Sequence, residues 1–204
     1  MNSNTSKYIL ALFLVSFLIA CSTKRDTFLA RNSHALSTKL NILYNGQIAL
    51  DKGVKGINDN SVENFWKRLP VEKMQVNDDV AVDGKPKNAD FEVAEAKATK
   101  AIQKHSMNIG GREKNYQIDV AYLLLGKARY YDQRFIPALD AFNYILYKYP
   151  NSSNIYDAKI WREKTNVQLG NDALAIKNTS KLIKDNDLNK QEFANANAIL
   201  ASAF

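Results

Sequence analysis

Apolar side chains recur every three or four positions through most of the chain, the period of helices that bury one face. Ser33 can cap a helix in which Leu36, Leu40, Leu43 and Leu50 form a stripe widened by Ile42, Tyr44 and Ile48, with Gly53 and Gly56 expected to end it. A short amphipathic piece over 62–69 stops at Pro70, and the turn formers of 76–89 read as a long loop. Beyond it, Phe91, Ala94, Ala98, Ile102 and His105 share a helical face, and a turn follows at 108–111. Ala121, Leu124, Leu125, Ala128 and Tyr131 keep the same period up to a break near Gln133 and Arg134. Ala138, Leu139, Phe142, Ile145 and Leu146 make the next stripe, which opens with Pro137 in its first turn and closes at Tyr149 and Pro150. Asn151 to Asn154 offer caps to a helix carrying Ala158, Trp161, Thr165 and Leu169. After a turn at Gly170 come Leu174, Ala175, Leu182 and Ile183, then a last stripe of Phe193, Ala196, Leu200, Ala201 and Phe204.

Paired helices with short turns prompt a search for repeats. Tyr122, Leu125, Gly126, Phe135, Ala138, Phe142 and Pro150 fall where the tetratricopeptide pattern wants a large aromatic, Leu-Gly, an aromatic, Ala, an aromatic and Pro. The logic is steric: Gly126 and Ala138 are small where two helices cross, and the rings fill the space around them. Arg129 departs from the pattern, standing where Tyr is usual, and Ile145 replaces a small residue. A second unit is weaker, with Gly170 and Ala175 in place but Lys159 and Thr179 where aromatics belong.

The fold class expected is all-α, with tetratricopeptide-like hairpins over 91–204 forming a right-handed solenoid whose last unit is incomplete. Solenoids normally end in a polar capping helix, and this stripe stays apolar to Phe204, so the array is expected to continue in a longer protein. In such an array the first helix of each pair lines a concave groove. That makes Lys127, Tyr130 and Tyr131, with Lys164 in the next unit, candidates for binding an extended or acidic peptide. The competing view puts Tyr131 in the core and the lysines in solvent.

The N-terminus has its own pattern. Polar residues ending in Lys7 precede an apolar run from Tyr8 to Ala20, broken by Ser16 and stopping at Cys21. The run is too short for a hydrocarbon core of about 30 Å, which needs about 20 residues, and suits a secretory signal, 1–20. Leu18-Ile19-Ala20-Cys21 resembles the bacterial lipobox, which makes Cys21, the only cysteine, the expected lipidation site. Several acyl chains, at about 0.8 kcal/mol per buried methylene, hold a protein on a bilayer without a spanning helix. No Asp follows Cys21, so by analogy with lipoprotein sorting the expected place is the outer membrane, facing the periplasm. The polar stretch 21–32 reads as a lipidated tether, and 33–90 as an N-terminal helix plus an irregular region.

Composition narrows the function. Lys and Arg total 28 against 21 Asp and Glu, a net +7, but the basic residues are scattered among acids and leave no nucleic-acid footprint. A single cysteine excludes an internal disulfide and a multi-thiolate zinc site. His34 and His105 stand far apart in sequence without ligand spacing around them, so no metal is expected. Gly110-Gly111 lacks the context of a phosphate cradle. Asp185 to Asn189 begins like a calcium loop but has Lys190 where Gly is required. With no nucleophile in a recognisable base context, the expectation is a non-enzymatic protein with no cofactor and no small-molecule substrate.

Two stretches are more specific than the repeat pattern. Residues 21–46, which open with Cys21-Ser22-Thr23-Lys24-Arg25-Asp26, resemble the start of the SprE/PorW lipoproteins of Bacteroidota. Residues 110–135, including Arg112-Glu113-Lys114-Asn115-Tyr116 and Leu123-Leu124-Leu125-Gly126-Lys127-Ala128-Arg129-Tyr130-Tyr131, resemble the first clear repeat of the same proteins. The resemblance implies an outer-membrane scaffold of type IX secretion and, in gliding species, of motility, whose partners are the translocon and the periplasmic ring and motor. Two other classes stay open: a tetratricopeptide assembly-factor lipoprotein serving barrel insertion or cell division, and an envelope enzyme with its catalytic domain farther downstream.

Overall fold

The computed structural model describes residues 22–62, 66, 70–74, 88–185 and 187–204. The signal 1–20, the lipidation site Cys21, most of the amphipathic piece 62–69 and nearly all of the loop 76–89 lie outside the described residues.

The described chain is almost entirely helical. Helix α1 (Phe28–Ser37) starts ahead of Ser33, because the Thr27 hydroxyl accepts the Ala30 N–H at 3.2 Å, so part of the stretch expected as a tether is helix. It runs without a break through a π-helical segment, Thr38–Leu43, into α2 (Tyr44–Asn60). At the wider turn the Thr38 hydroxyl donates to the His34 carbonyl (2.7 Å) and accepts the Asn115 side-chain amide (3.1 Å), which also donates to the His105 carbonyl (2.9 Å).

Gly53 and Gly56 do not end this helix, which continues to Asn60. Gly53 is a contact point, since a Cβ there would strike the ring of Phe91. The buried face of the 28–60 run also differs from the expected stripe. Ala35, Thr38, Ile42, Leu43, Leu50 and Ile57 are buried, whereas Leu36, Leu40, Tyr44 and Ile48 are exposed. The run carries apolar residues on two faces, and the helices that follow cover only one.

Helix α3 (Ala89–His105) is capped by Asn88, whose side-chain oxygen accepts the Asp90 N–H at 2.9 Å. A two-residue antiparallel hairpin follows, β1 (Asn108–Ile109) against β2 (Arg112–Glu113). Gly110 and Gly111 both take positive φ in its turn, the pattern that a type I′ hairpin requires. Then come α4 (Ile118–Tyr131), α5 (Phe135–Lys148), α6 (Ile155–Gln168), α7 (Asp172–Leu182) and α8 (Lys190–Ala203). Successive helices pack on one another from α2 to α8, and α2 also touches α4, α4 touches α6 and α6 touches α8. The even-numbered helices thus make one layer, with α3, α5 and α7 behind it.

The α4–α5 crossing depends on a missing side chain. A Cβ on Gly126 would overlap the Phe142 ring, lying 2.6 Å from its Cζ, and Ala138 is fully buried beside it. Aligning Ala175 with Ala138 puts Glu163 of α6 at the position of Gly126 and Thr179 of α7 at that of Phe142. Bulk has changed sides: Glu163 is buried, and its carboxylate accepts from Arg162 Nε (2.6 Å), Asn166 Nδ2 (2.8 Å) and Asn178 Nδ2 (3.1 Å). The main core runs from α2 to α6 and is aromatic at its centre, where Trp161 meets the rings of Tyr130 (5.2 Å), Tyr131 (5.6 Å) and Phe142 (6.3 Å). A smaller core joins Ile160, Leu182 and Ile199. In α8 the buried face is Ala196, Ile199 and Ala203, while Phe193 and Phe204 are exposed, as is Leu174 of α7. There the helical period holds and the phase is shifted.

Candidate functional site

The layer of even-numbered helices carries the four residues expected to line a groove, and the structure corrects their surroundings. Tyr130 is 0% exposed and Tyr131 only 6%, because α4 presents both to Trp161 of α6, and Tyr131 stacks on Phe91 of α3 at 5.8 Å. They are core residues and offer a partner no open ring. The lysines are not solvated either. The Lys127 side chain is 20% exposed, pairs with Asp157 at 3.2 Å and lies 5.1 Å from the Trp161 ring centre. Lys164 is 3% exposed, with its ammonium 4.4 Å from the same ring.

What covers Lys164 is the chain itself. Residues 70–74 lie on this layer, and the Glu72 carboxylate takes the Lys164 ammonium on one oxygen and the Tyr131 hydroxyl on the other (2.8 Å). Asn195 of α8 gives Lys164 a second acceptor at 3.2 Å, and Met74 packs on the main core. Burial, and then the Glu72 carboxylate, push the Tyr131 phenol well above its ordinary pKa, so it stays a hydrogen-bond donor. Side chains from α4 and α6 thus hold one carboxylate, and Asn195 of α8 accepts from the Lys164 ammonium behind it. The sequence could not give this arrangement, since Glu72 is 59 residues from Tyr131 and 92 from Lys164.

Lys127 also borders an open apolar groove of about 410 Å³ between the π segment, α2 and α4, with Leu40, Leu43, Tyr44 and Leu123 on its walls. Leu40 and Tyr44, 55% and 63% exposed, are the accessible apolar surface here.

A second charged cluster ties α3 to the α4–α5 turn. Arg134, itself buried, donates to Asp132 (2.9 Å) and pairs with Glu95, which also accepts from Arg129 Nε (2.7 Å). Burial alone would raise the Glu95 carboxyl, but hydrogen bonds from Arg134 and Arg129 outweigh it and hold the group below the usual carboxylate range. A polar cleft between 113–120 and 148–154 holds two more carboxylates. Glu113 accepts the N–H groups of Met107 (2.6 Å) and Asn115 (2.9 Å), and Asp119 accepts Ser152 and Asn154, so both fasten loops.

The two histidines, distant in sequence, meet: His34 Nδ1 lies 3.0 Å from His105 Nδ1 between α1 and α3. Burial first, then His34 and the ammonium groups of Lys100 and Lys104, lower the His105 pKa. The unfolded chain therefore binds more protons than the folded one just below the ordinary histidine pKa. This contribution is complete above about pH 6.5 and is lost as pH falls toward the lower folded value. The melting temperature should drop on acidification from pH 7.5 to 5.5, and His105→Gln should flatten that slope. A slope unchanged in the variant would show that His105 does not titrate in this window. Among the described residues, no three His, Cys, Asp or Glu side chains converge as a metal site would need.

No helix among the described residues is long and apolar enough to cross a membrane. Compared with known proteins, the chain matches no family model and no curated sequence.

Proposed function

We infer that the chain is a lipid-anchored, non-enzymatic scaffold of type IX protein secretion at the outer membrane, linking the translocon to the periplasmic ring and motor. What supports this reading is the two-layer succession of helices in which 110–135, one of the two stretches that resemble the SprE/PorW lipoproteins, forms the hairpin turn, β2 and α4. Tetratricopeptide-like hairpins repeated as a right-handed solenoid, and fixed at one end by lipid, can present a binding layer far from the bilayer. Such a layer needs side chains that grip a protein segment and no water-excluded reaction site.

The anchor gives a direct prediction. Cys21→Ala should leave an unprocessed precursor that takes up no labelled palmitate in cells, whereas the unaltered chain is labelled and fractionates with the outer membrane. A processed, soluble Cys21→Ala protein would remove the anchor from the account. The partner is tested by crosslinking in cells and capturing the lipoprotein. Ring, motor or translocon components should be recovered. Recovery of the barrel-insertion or cell-division machinery in their place would favour a general assembly factor built from the same kind of repeat.

A further inference from the structure

The geometry points to a carboxylate-recognition site formed by Tyr131 and Lys164, with Asn195 accepting from the Lys164 ammonium, which the chain's own Glu72 occupies and which an extended partner segment with an internal glutamate fills by displacing it. The inference rests on the proposal that the layer of α4, α6 and α8 is a partner-binding face.

Lys164 is the decisive residue. Its side chain is 3% exposed, and the groups that face its ammonium are the Trp161 ring, the Asn195 side-chain oxygen and the Glu72 carboxylate. A buried ammonium needs a negative partner, and the ring and amide supply only partial charge. Tyr131 points its hydroxyl at the other oxygen of the same carboxylate, so the two donors fit a group with two acceptors in one plane. Tyr131 and Lys164, and the Asn195 that accepts from Lys164, stand on packed helices, while Glu72 comes from a stretch without helix or strand. The rigid side is therefore the receptor and 70–74 the ligand.

Charge complementarity selects the occupant. Any segment that replaces 70–74 must bring a carboxylate, or Lys164 is left buried and uncompensated. Trp161 links this site to Lys127, which lies over the same ring, and Lys127 borders the open apolar groove beside Leu40 and Tyr44. A partner segment therefore places a glutamate on Lys164 and an apolar side chain in that groove. The 70–74 segment, with Met74 on the core, then acts as an internal competitor that lowers affinity for weaker ligands.

The probe is the segment's own sequence as a labelled peptide, acetyl-Pro-Val-Glu-Lys-Met-amide, titrated by fluorescence anisotropy into the full chain. Glu72→Gln should bind it at least ten-fold more tightly than the unaltered chain. The peptide with Gln for Glu should bind neither protein, and adding Lys164→Met to Glu72→Gln should abolish binding. Equal affinity for the two proteins, no binding to Glu72→Gln, or equal binding of the Glu and Gln peptides would each overturn the proposal. If circular dichroism shows Glu72→Gln to be unfolded, the Glu and Gln peptides are compared on the unaltered chain at millimolar concentration. There the Glu peptide alone should bind, and no difference would overturn the proposal. A scaffold that captures its secretion partners in cells yet ignores the peptide would sink this inference and leave the proposed function standing.

Discussion

Replacing Arg134 with Met should destabilise the fold by about 3–5 kcal/mol, because it strips the guanidinium from a buried carboxylate cluster. The Arg134 side chain is 7% exposed and that of Asp132 is 0% exposed, so water cannot stand in for the lost cation without opening the turn. Glu95 would keep only Arg129, and the tie between α3 and the α4–α5 turn would loosen. For a chain of this size the loss corresponds to a fall in melting temperature of roughly 6–20 °C. Adding Glu95→Gln should cost much less than the same change made alone, since the two residues share one interaction. Strictly additive losses in thermal melts would show that the cluster is not a unit. Acid adds a signed check: a carboxyl held below its ordinary pKa contributes stability above that value and loses it as pH falls through the folded one. Glu95→Gln should therefore flatten the stability curve below about pH 4.5.

The second large effect is a difference in sign between two glycines. Gly126→Ala should destabilise by about 1–3 kcal/mol, because the new Cβ overlaps the Phe142 ring and the α4–α5 crossing must spread. Gly56→Ala, in α2, should stabilise by roughly 0.5–1 kcal/mol, since nothing lies within 4 Å of a Cβ there and alanine is the better helix former. Ala138→Leu should cost about 1–3 kcal/mol for the same reason as Gly126→Ala, as Ala138 is fully buried. Denaturant unfolding of the three variants checks this. A neutral Gly126→Ala would mean that the helices do not cross at that residue.

These two glycines also show what the sequence makes legible. A glycine in a helical pattern reads equally as a terminator or as a place where another helix comes close, and only the neighbour decides. At Gly126 a ring at Phe142 and a small Ala138 pointed to a crossing, whereas Gly53 and Gly56 had no such companions nearby in sequence. The companion of Gly53, Phe91, belongs to α3, far along the sequence. Helix period was likewise easier to read than phase. On α8 the apolar residues spread wider than one face, and which of them meet α6 and α7 depends on Ala196 and Ile199 fitting there.

The candidate site was legible only in its residue types. Lys127, Tyr130, Tyr131 and Lys164 share the layer of α4 and α6, but Trp161 draws the two tyrosines inward and Glu72 closes over Lys164. A carboxylate arriving from a distant segment without helical period leaves no local signal. The contact between His34 and His105 is hidden in the same way, since ligand spacing in sequence says nothing about side chains brought together by α1 and α3.

The scaffold account is tested most directly by deleting the gene and following type IX cargo, with the full-length gene restored as the control. The account predicts that cargo accumulates in the periplasm, that barrel proteins still insert, and that restoring the gene restores export. Normal export and normal gliding in the deletion strain, with barrel insertion failing instead, would contradict it.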